Sequence, residues 1–136
     1  MKKKILFITA TRADFGKLKS LIKITKKNNK FSVYIIVTGM HMMSKFGDTH
    51  QEINKFFKSN IIKFKNQKFE DSLETVLTNT TEKFSKIVKK IKPDLILIHG
   101  DRVESMACAL VGSFNHILTA HIEGGEVSGN IDDTIR

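Results

Sequence analysis

The chain has 136 residues, of which 40% are hydrophobic, and this length predicts one compact domain with an apolar core of its own. No stretch approaches the roughly 20 apolar residues that span a bilayer, and the apolar run behind the basic N-terminus ends at Arg12, too early for a signal peptide. The formal net charge of +9 comes mostly from lysines scattered over predicted helical surfaces, so neither a membrane nor nucleic acid is an expected partner. We expect a soluble cytoplasmic protein; the single cysteine, Cys108, lies in an apolar helical context that fits a core residue in a reducing compartment.

The predicted elements alternate between strand and helix along the chain. In order they are strand 4–10, helix 15–27, strand 31–38, helix 49–58, strand 60–64, helix 72–92, strand 95–99, helix 103–114 and strand 117–122. The tail from Glu123 is predicted to be an ordered loop, and residues 131–136 look like the first turn of a further helix. An ending within that turn suggests that the sequence is part of a longer protein.

This alternation predicts an α/β fold, a doubly wound parallel sheet of the Rossmann-like kind. The strands are continuously apolar, which favours a sheet that is covered by helices on both faces.

Charged and polar residues follow four of the five predicted strands, at the edge of the sheet where open α/β folds bind ligands. They are Arg12, Asp14 and Lys17 after the first strand, His41 after the second, Asp101, Arg102 and Glu104 after the fourth, and Glu123, Glu126, Asp132 and Asp133 after the fifth. Arginines beside helix N-termini suit a phosphate or diphosphate. Neighbouring carboxylates suit proton transfer. Together they predict an anionic ligand with a centre of proton transfer.

Each of these residues also has a purely structural interpretation. Arg12 could pair with Asp14, and Asp101, Asp132 or Asp133 could each cap a helix. The histidines could be loop or half-buried core residues, and Lys17 could be solvated. Independent caps and surface pairs have no reason to collect at the ends of three strands, and this favours a site.

Several familiar motifs are missing from the sequence. It contains no GxGxxG fingerprint, no GxxxxGK[ST] phosphate loop, no GxSxG elbow and no Cys or His spacing typical of a metal site. We therefore expect no cofactor and no metal.

Three segments resemble the hydrolysing UDP-N-acetylglucosamine 2-epimerases of sialic-acid biosynthesis: TRADFGKL, HGDRVE and AHIEGGEVSGNIDDTIR. The resemblance implies that residues 1–136 are the N-terminal domain of a two-domain, glycosyltransferase-B-like enzyme. The second, nucleotide-binding domain would be absent, so this chain alone would be inactive or nearly so. The implied partners are a UDP-sugar substrate and further copies of the chain, in a dimer or tetramer.

The implied reaction is elimination of UDP across C1 and C2 of the sugar, followed by addition of water to a 2-acetamidoglucal, which gives N-acetylmannosamine. The matching motifs imply roles for eight residues: Asp101, Glu123 and Asp132 in catalysis, and Arg12, Ala13, Arg102, Gly124 and Gly125 in substrate binding. Three other functions stay open. They are 2-epimerisation of a related diacetamido-trideoxy sugar in legionaminic-acid synthesis, sugar transfer by a glycosyltransferase-B-type enzyme, and a basic binding module.

Overall fold

Five parallel strands form one sheet. The computed structural model describes the whole chain, from Met1 to Arg136. The strands are β1 (Lys3–Thr9), β2 (Phe31–Val37), β3 (Ile61–Lys63), β4 (Leu95–His99) and β5 (Leu118–Ile122), and their order in the sheet is β3-β2-β1-β4-β5. The helices are α1 (Arg12–Lys27), α2 (His50–Phe56), α3 (Leu73–Ile91) and α4 (Val103–Phe114).

The two faces of the sheet carry two separate apolar cores, because successive side chains of a strand point to opposite faces. On one face Phe7 packs with Leu18 of α1 and Ile53 of α2. On the other face Leu6 packs with Phe84 of α3 and Val111 of α4. Helices therefore cover both faces, as a doubly wound fold requires.

The predicted fold class is confirmed, and so are all nine predicted helices and strands. The bounds of β4 and α4 agree with the prediction, whereas α1 begins three residues earlier than predicted, at Arg12. The reason is a capping box: the Thr11 hydroxyl accepts a hydrogen bond from the Asp14 backbone N–H, and the Asp14 carboxylate accepts one from Thr11 N–H.

The segment after β5 is a series of turns that ends in a short 3₁₀ helix, Ile131–Thr134. The predicted first turn of a further helix is thus a 3₁₀ turn, capped by the Asn130 side chain. No helix of the chain combines the length and the apolar character needed to cross a membrane.

Candidate functional site

The carboxyl ends of β1, β4 and β5 lie side by side at one edge of the sheet, because β1 pairs with β4 and β4 pairs with β5. The last residues of β4 and β5, His99 and Ile122, are direct partners in the ladder. Residues that follow these strands are therefore brought to one edge, although they are far apart in sequence.

Asp14 lies in the first turn of α1 and is directed inward. Its Oδ2 accepts hydrogen bonds from the backbone N–H groups of Ala10 (3.1 Å) and Thr11 (3.0 Å), and its Oδ1 lies 3.0 Å from Nδ1 of His99. The Arg12 side chain is 74% exposed and lies 3.3 Å from Glu52 Oε1 instead. The pairing of Arg12 with Asp14 that the sequence allowed is therefore not formed.

Glu123 follows β5 directly and joins the same cluster. Its Oε1 accepts a hydrogen bond from the Lys17 ammonium, and its Oε2 lies 3.1 Å from Nε2 of His99. The hydrogen bond from Lys17 is the main reason that the pKa of Glu123 is lowered, and the same bond raises the pKa of Lys17. At neutral pH Glu123 is therefore a carboxylate that faces a cation. We call Asp14, Lys17, His99 and Glu123 the histidine cluster.

Asp101 belongs to a second group of charged residues, beside the N-terminus of α4. Its Oδ2 accepts a hydrogen bond from Arg136, whose guanidinium also lies 3.3 Å from Asp133 Oδ1. Asp133 accepts hydrogen bonds from the backbone N–H groups of Ser128 and Gly129, and the bonds from Ser128 lower its pKa. Arg136 thus ties the end of the chain to the residues after β4.

A shallow hollow opens beside Asp101. It is lined by Leu73, Asp101, Arg102, Val103, Asp132 and Ile135. The structure therefore brings Asp101, Arg102 and Asp132 together, whereas Glu123 lies in the histidine cluster against α1. Both groups lie at the same edge of the sheet, but no residue forms an ion pair with members of both.

The capping roles that the sequence allowed for the three acids are not what the structure shows. The N-cap of α4 is Arg102, without a side-chain cap bond, so Asp101 does not cap this helix. Asn130 caps the 3₁₀ turn, and Asp132 donates its backbone N–H to the Asn130 side chain. The carboxylates of Asp101 and Asp132 both line the hollow, where Oδ2 of Asp101 accepts a hydrogen bond from Arg136.

A series of hydrogen bonds between buried polar groups, which we call the buried polar chain, holds Arg102 in place. Gly39 N–H donates to Asn66 Oδ1 (3.0 Å), Asn66 Nδ2 donates to Glu104 Oε1 (3.2 Å), and Arg102 Nε donates to Glu104 Oε2 (3.1 Å). Glu104 is fully buried, so both its oxygens need these donors. The buried polar chain fixes Arg102 at the sheet edge, while part of the Arg102 side chain stays exposed.

Of the remaining residues implied to bind substrate, Ala13 and Gly125 are exposed. A Cβ on Gly125 would meet no atom within 4 Å, whereas a Cβ on Gly124 would lie 2.5 Å from the ring of His121. Gly124 is thus required by packing against His121, whose Nε2 bonds the carbonyl of Gly100 (2.6 Å).

His41, interpreted from sequence as a loop residue, is buried in a 3₁₀ turn, Gly39–Met42. Its ring bridges the hydroxyls of Thr9 (2.8 Å) and Thr49 (2.6 Å). Burial lowers the pKa of His41 to about 4, so near pH 7 its ring is uncharged while it bridges these two hydroxyls. No group of three or more His, Cys, Asp and Glu side chains is arranged to hold a metal ion.

Sequence reasoning missed the roles of Asp14, His99 and Arg136. A signal for Asp14 was present, since an acid three residues after a threonine is a capping-box pattern that turns the acid back towards the strand end. His99 gave no such signal, because its partners are set by the pairing of β1, β4 and β5.

Comparison with known proteins shows the family of the chain. The sequence model that describes UDP-N-acetylglucosamine 2-epimerases matches residues 23–136. The chain belongs to this family. A UDP-N-acetylglucosamine 2-epimerase from Neisseria meningitidis serogroup B is 45% identical over 134 residues, which are 98% of this chain and 36% of that protein. A GDP/UDP-N,N'-diacetylbacillosamine 2-epimerase (hydrolyzing) from Campylobacter jejuni is 36% identical, over 99% of this chain and 36% of its own length.

Solved structures show the same fold. The structure of a UDP-GlcNAc 2-epimerase from Methanocaldococcus jannaschii in complex with UDP-GlcNAc and UDP has a TM-score of 0.76 and 26% identity, over 92% of this chain and 33% of that one. A Listeria monocytogenes structure described as a UDP-N-acetylglucosamine 2-epimerase has a TM-score of 0.83 at 22% identity, over 100% of this chain and 36% of that one. The chain spans about a third of the length of the relatives that it matches.

Proposed function

We propose that residues 1–136 are the N-terminal, Rossmann-like domain of a hydrolysing UDP-N-acetylglucosamine 2-epimerase, which converts UDP-N-acetylglucosamine to UDP and N-acetylmannosamine. The observation that carries the proposal is the gathering of Asp101, Arg102, Asp132 and Glu123 at one sheet edge, in a chain of this family. The hydrolysing mode is supported by relatives from C. jejuni and Legionella pneumophila whose names include it.

The proposed reaction needs a site that binds the diphosphate and carboxylates that transfer protons. The proton on C2 of the sugar is only weakly acidic, so the bond between C1 and UDP breaks ahead of the C2–H bond. Positive charge therefore develops at C1. Carboxylates at the edge stabilise this charge, take the C2 proton and return a proton when water adds to the 2-acetamidoglucal. Glu123 is suited to take the proton, because Lys17 holds it ionised.

Substrate binding is assigned to residues around these acids. Arg12 is exposed and Arg102 partly exposed, and both guanidinium groups can reach a diphosphate. The small residues Ala13 and Gly125 leave room for the sugar to approach the backbone closely, and Gly124 lets the backbone after β5 pack against His121. A second domain, as the resemblance implies, would supply most of the uridine pocket, and so we expect the 136-residue chain alone to be inactive. No cofactor or metal is part of the proposal.

The test is product analysis with the full-length protein and UDP-N-acetylglucosamine. We expect UDP and N-acetylmannosamine in equal amounts, and loss of turnover in Asp101→Asn and Glu123→Gln with unchanged folding. Glu82→Gln is a matched control, since Glu82 is an exposed acid that pairs with Lys86 on α3, away from the edge. Turnover at the wild-type rate in both amide variants would reject the site.

The second candidate is 2-epimerisation of a diacetamido-trideoxy sugar on UDP or GDP, as in legionaminic-acid synthesis. It is favoured by the relatives from C. jejuni (36% identical) and L. pneumophila (31% identical), both named as N,N'-diacetylbacillosamine 2-epimerases. Comparing kcat/KM for the two sugars decides between these candidates. A glycosyltransferase-B-type transferase would instead keep the configuration at C2 and need an acceptor.

The proposed setting is a cytoplasmic homo-oligomer, a dimer or tetramer. Light scattering of the full-length protein tests the assembly, and a monomer at micromolar concentration would contradict it.

A further inference from the structure

A buried histidine lies between two carboxylates at the centre of the site. His99 and Asp14 are each only 7% exposed. Nδ1 of His99 is 3.0 Å from Asp14 Oδ1, and Nε2 on the other side of the ring is 3.1 Å from Glu123 Oε2. The imidazole thus bridges a carboxylate on α1 and one that follows β5.

Asp14 determines which ring nitrogen carries the hydrogen. Its Oδ2 is already occupied by the backbone N–H groups of Ala10 and Thr11, and backbone donors cannot reverse. As a carboxylate, Asp14 has no hydrogen to donate, so its Oδ1 accepts from His99 and Nδ1 carries the hydrogen.

The other ring nitrogen of His99, Nε2, lacks a hydrogen bond. Nε2 is buried and has no aligned hydrogen-bond partner, even though Glu123 Oε2 is within 3.1 Å. The two atoms are adjacent but not aligned for a hydrogen bond, and Lys17 binds the other oxygen of Glu123. When neutral His99 carries its hydrogen on Nδ1, Nε2 and a carboxylate oxygen are both acceptors, so a bond between them needs one additional proton.

We propose that Asp14 is a positioning residue that fixes His99 with Nε2 towards Glu123, so that His99 receives a proton from the Glu123 carboxyl group and returns it. In the transfer the O–H bond of Glu123 breaks and an N–H bond forms at Nε2. The products are a carboxylate and an imidazolium whose charge Asp14 balances. The reverse step restores neutral His99 and the Glu123 carboxyl group, which then releases the proton to water and is again a carboxylate. The inference rests on the proposed function, because it gives the proton that Glu123 takes from the sugar a place to go.

Asp14 lies against the His99 ring from α1, and Glu123 lies against it from the segment after β5. Lys17 of α1 binds Glu123 and also interacts with the charge of Glu126. His41, in the turn after β2, interacts with the charge of Asp14, and Ser105 of α4 donates a hydrogen bond to the His99 carbonyl. Only Asp14 and Glu123 contact the His99 ring as ion-pair partners. Replacing Asp14 therefore removes one defined partner of the ring.

The first test needs no enzymatic activity. Ring ¹⁵N NMR of the 136-residue chain, at a pH where His99 is neutral, reports which nitrogen carries the hydrogen, and we expect Nδ1–H in the wild type. In Asp14→Asn the amide oxygen keeps the two backbone N–H bonds, so the NH₂ group faces Nδ1 and the hydrogen moves to Nε2. A wild-type ring with hydrogen on Nε2 overturns the proposal even if the variant does not fold, and so does an unchanged tautomer in a folded variant.

Asp94→Asn is the matched control. Asp94 also accepts one backbone N–H, from Lys4, and one side-chain donor, Lys3, but it lies at the opposite edge of the sheet. We expect it to leave the His99 tautomer unchanged.

The second test uses the full-length protein with UDP-N-acetylglucosamine. We expect Asp14→Asn to lower kcat by about 10²- to 10⁴-fold, the usual range for a lost proton-transfer group, with KM within about threefold of wild type. Asp94→Asn should keep kcat within about twofold. An unchanged kcat in Asp14→Asn overturns the positioning role. If the wild-type protein has no epimerase activity, the proposed function fails while the tautomer result still stands.

Discussion

Gly39 is the position where the structure makes the sharpest stability prediction. It follows β2 with a φ of +61°, and a Cβ there would lie 2.7 Å from Glu104 Oε1 and 2.8 Å from both the Cβ and the carbonyl oxygen of Ala10. The Ala10 carbonyl is backbone, and the Glu104 carboxylate is held by Asn66 and Arg102. Moving Glu104 aside would disturb the buried polar chain, and moving the Ala10 carbonyl would disturb the hydrogen bond that it accepts from the His41 N–H.

The loss of stability in Gly39→Ala has two parts. A left-handed backbone conformation costs alanine about 1–2 kcal/mol, and overpacking of a tight site costs about 1–3 kcal/mol more. We therefore expect a decrease of about 2–5 kcal/mol in the free energy of unfolding. Gly47→Ala is the control, since Gly47 also has a positive φ of +82° but a Cβ there would meet nothing within 4 Å. It should lose only the backbone part, about 1–2 kcal/mol.

Urea unfolding of the chain, followed by far-UV circular dichroism, measures both variants. With a typical slope of about 2 kcal/mol per molar urea, Gly39→Ala should lower the midpoint by about 1–2.5 M. Equal losses in the two variants would refute the reasoning, because they would show that contact with Ala10 and Glu104 adds nothing to the backbone term.

Two further predictions concern titration. The pKa of His41 falls on folding from 6.5 to about 4, so the unfolded chain binds more protons between these values, and His41 favours folding above pH 6.5 and loses this effect as pH falls towards 4. Unfolding free energies at pH 7 and pH 4.5 should therefore differ by about 2 kcal/mol less in His41→Gln than in the wild type, and parallel pH dependence would contradict this. Lys17→Met should raise the pKa of Glu123 towards its ordinary value, as followed by ¹³C NMR of the Glu123 carboxyl group, because the main cause of the lowering is removed. Lys19→Met is its control, since Lys19 lies over the ring of Phe56 and not on an acid, and identical Glu123 titrations in the wild type and Lys17→Met would argue against the pairing.

The sequence was sufficient to predict the alternation of elements, since each strand is a separate apolar run and each helix has a clear stripe. The long stripe of α3 and the Pro93 that follows it, for example, predicted that helix to within one residue at each end. The gathering of charge at the carboxyl edge also followed, because it requires only that the strands be parallel.

The contacts within the site could not be predicted in the same way. Asp14 and His99 are 85 positions apart, and they meet only because β4 lies beside β1 in the sheet. The sequence spacing contains no information on that strand order. For the same reason the sequence did not indicate that Glu123 turns towards α1, whereas Asp101 turns towards Arg136.

Turnover of UDP-N-acetylglucosamine by the full-length protein in D₂O tests the central claim most directly, namely that proton transfer at C2 takes place at this edge. Mass spectrometry and NMR of the product should show one deuterium at C2 of N-acetylmannosamine in every molecule formed. Product that retains the original hydrogen at C2 would contradict the account.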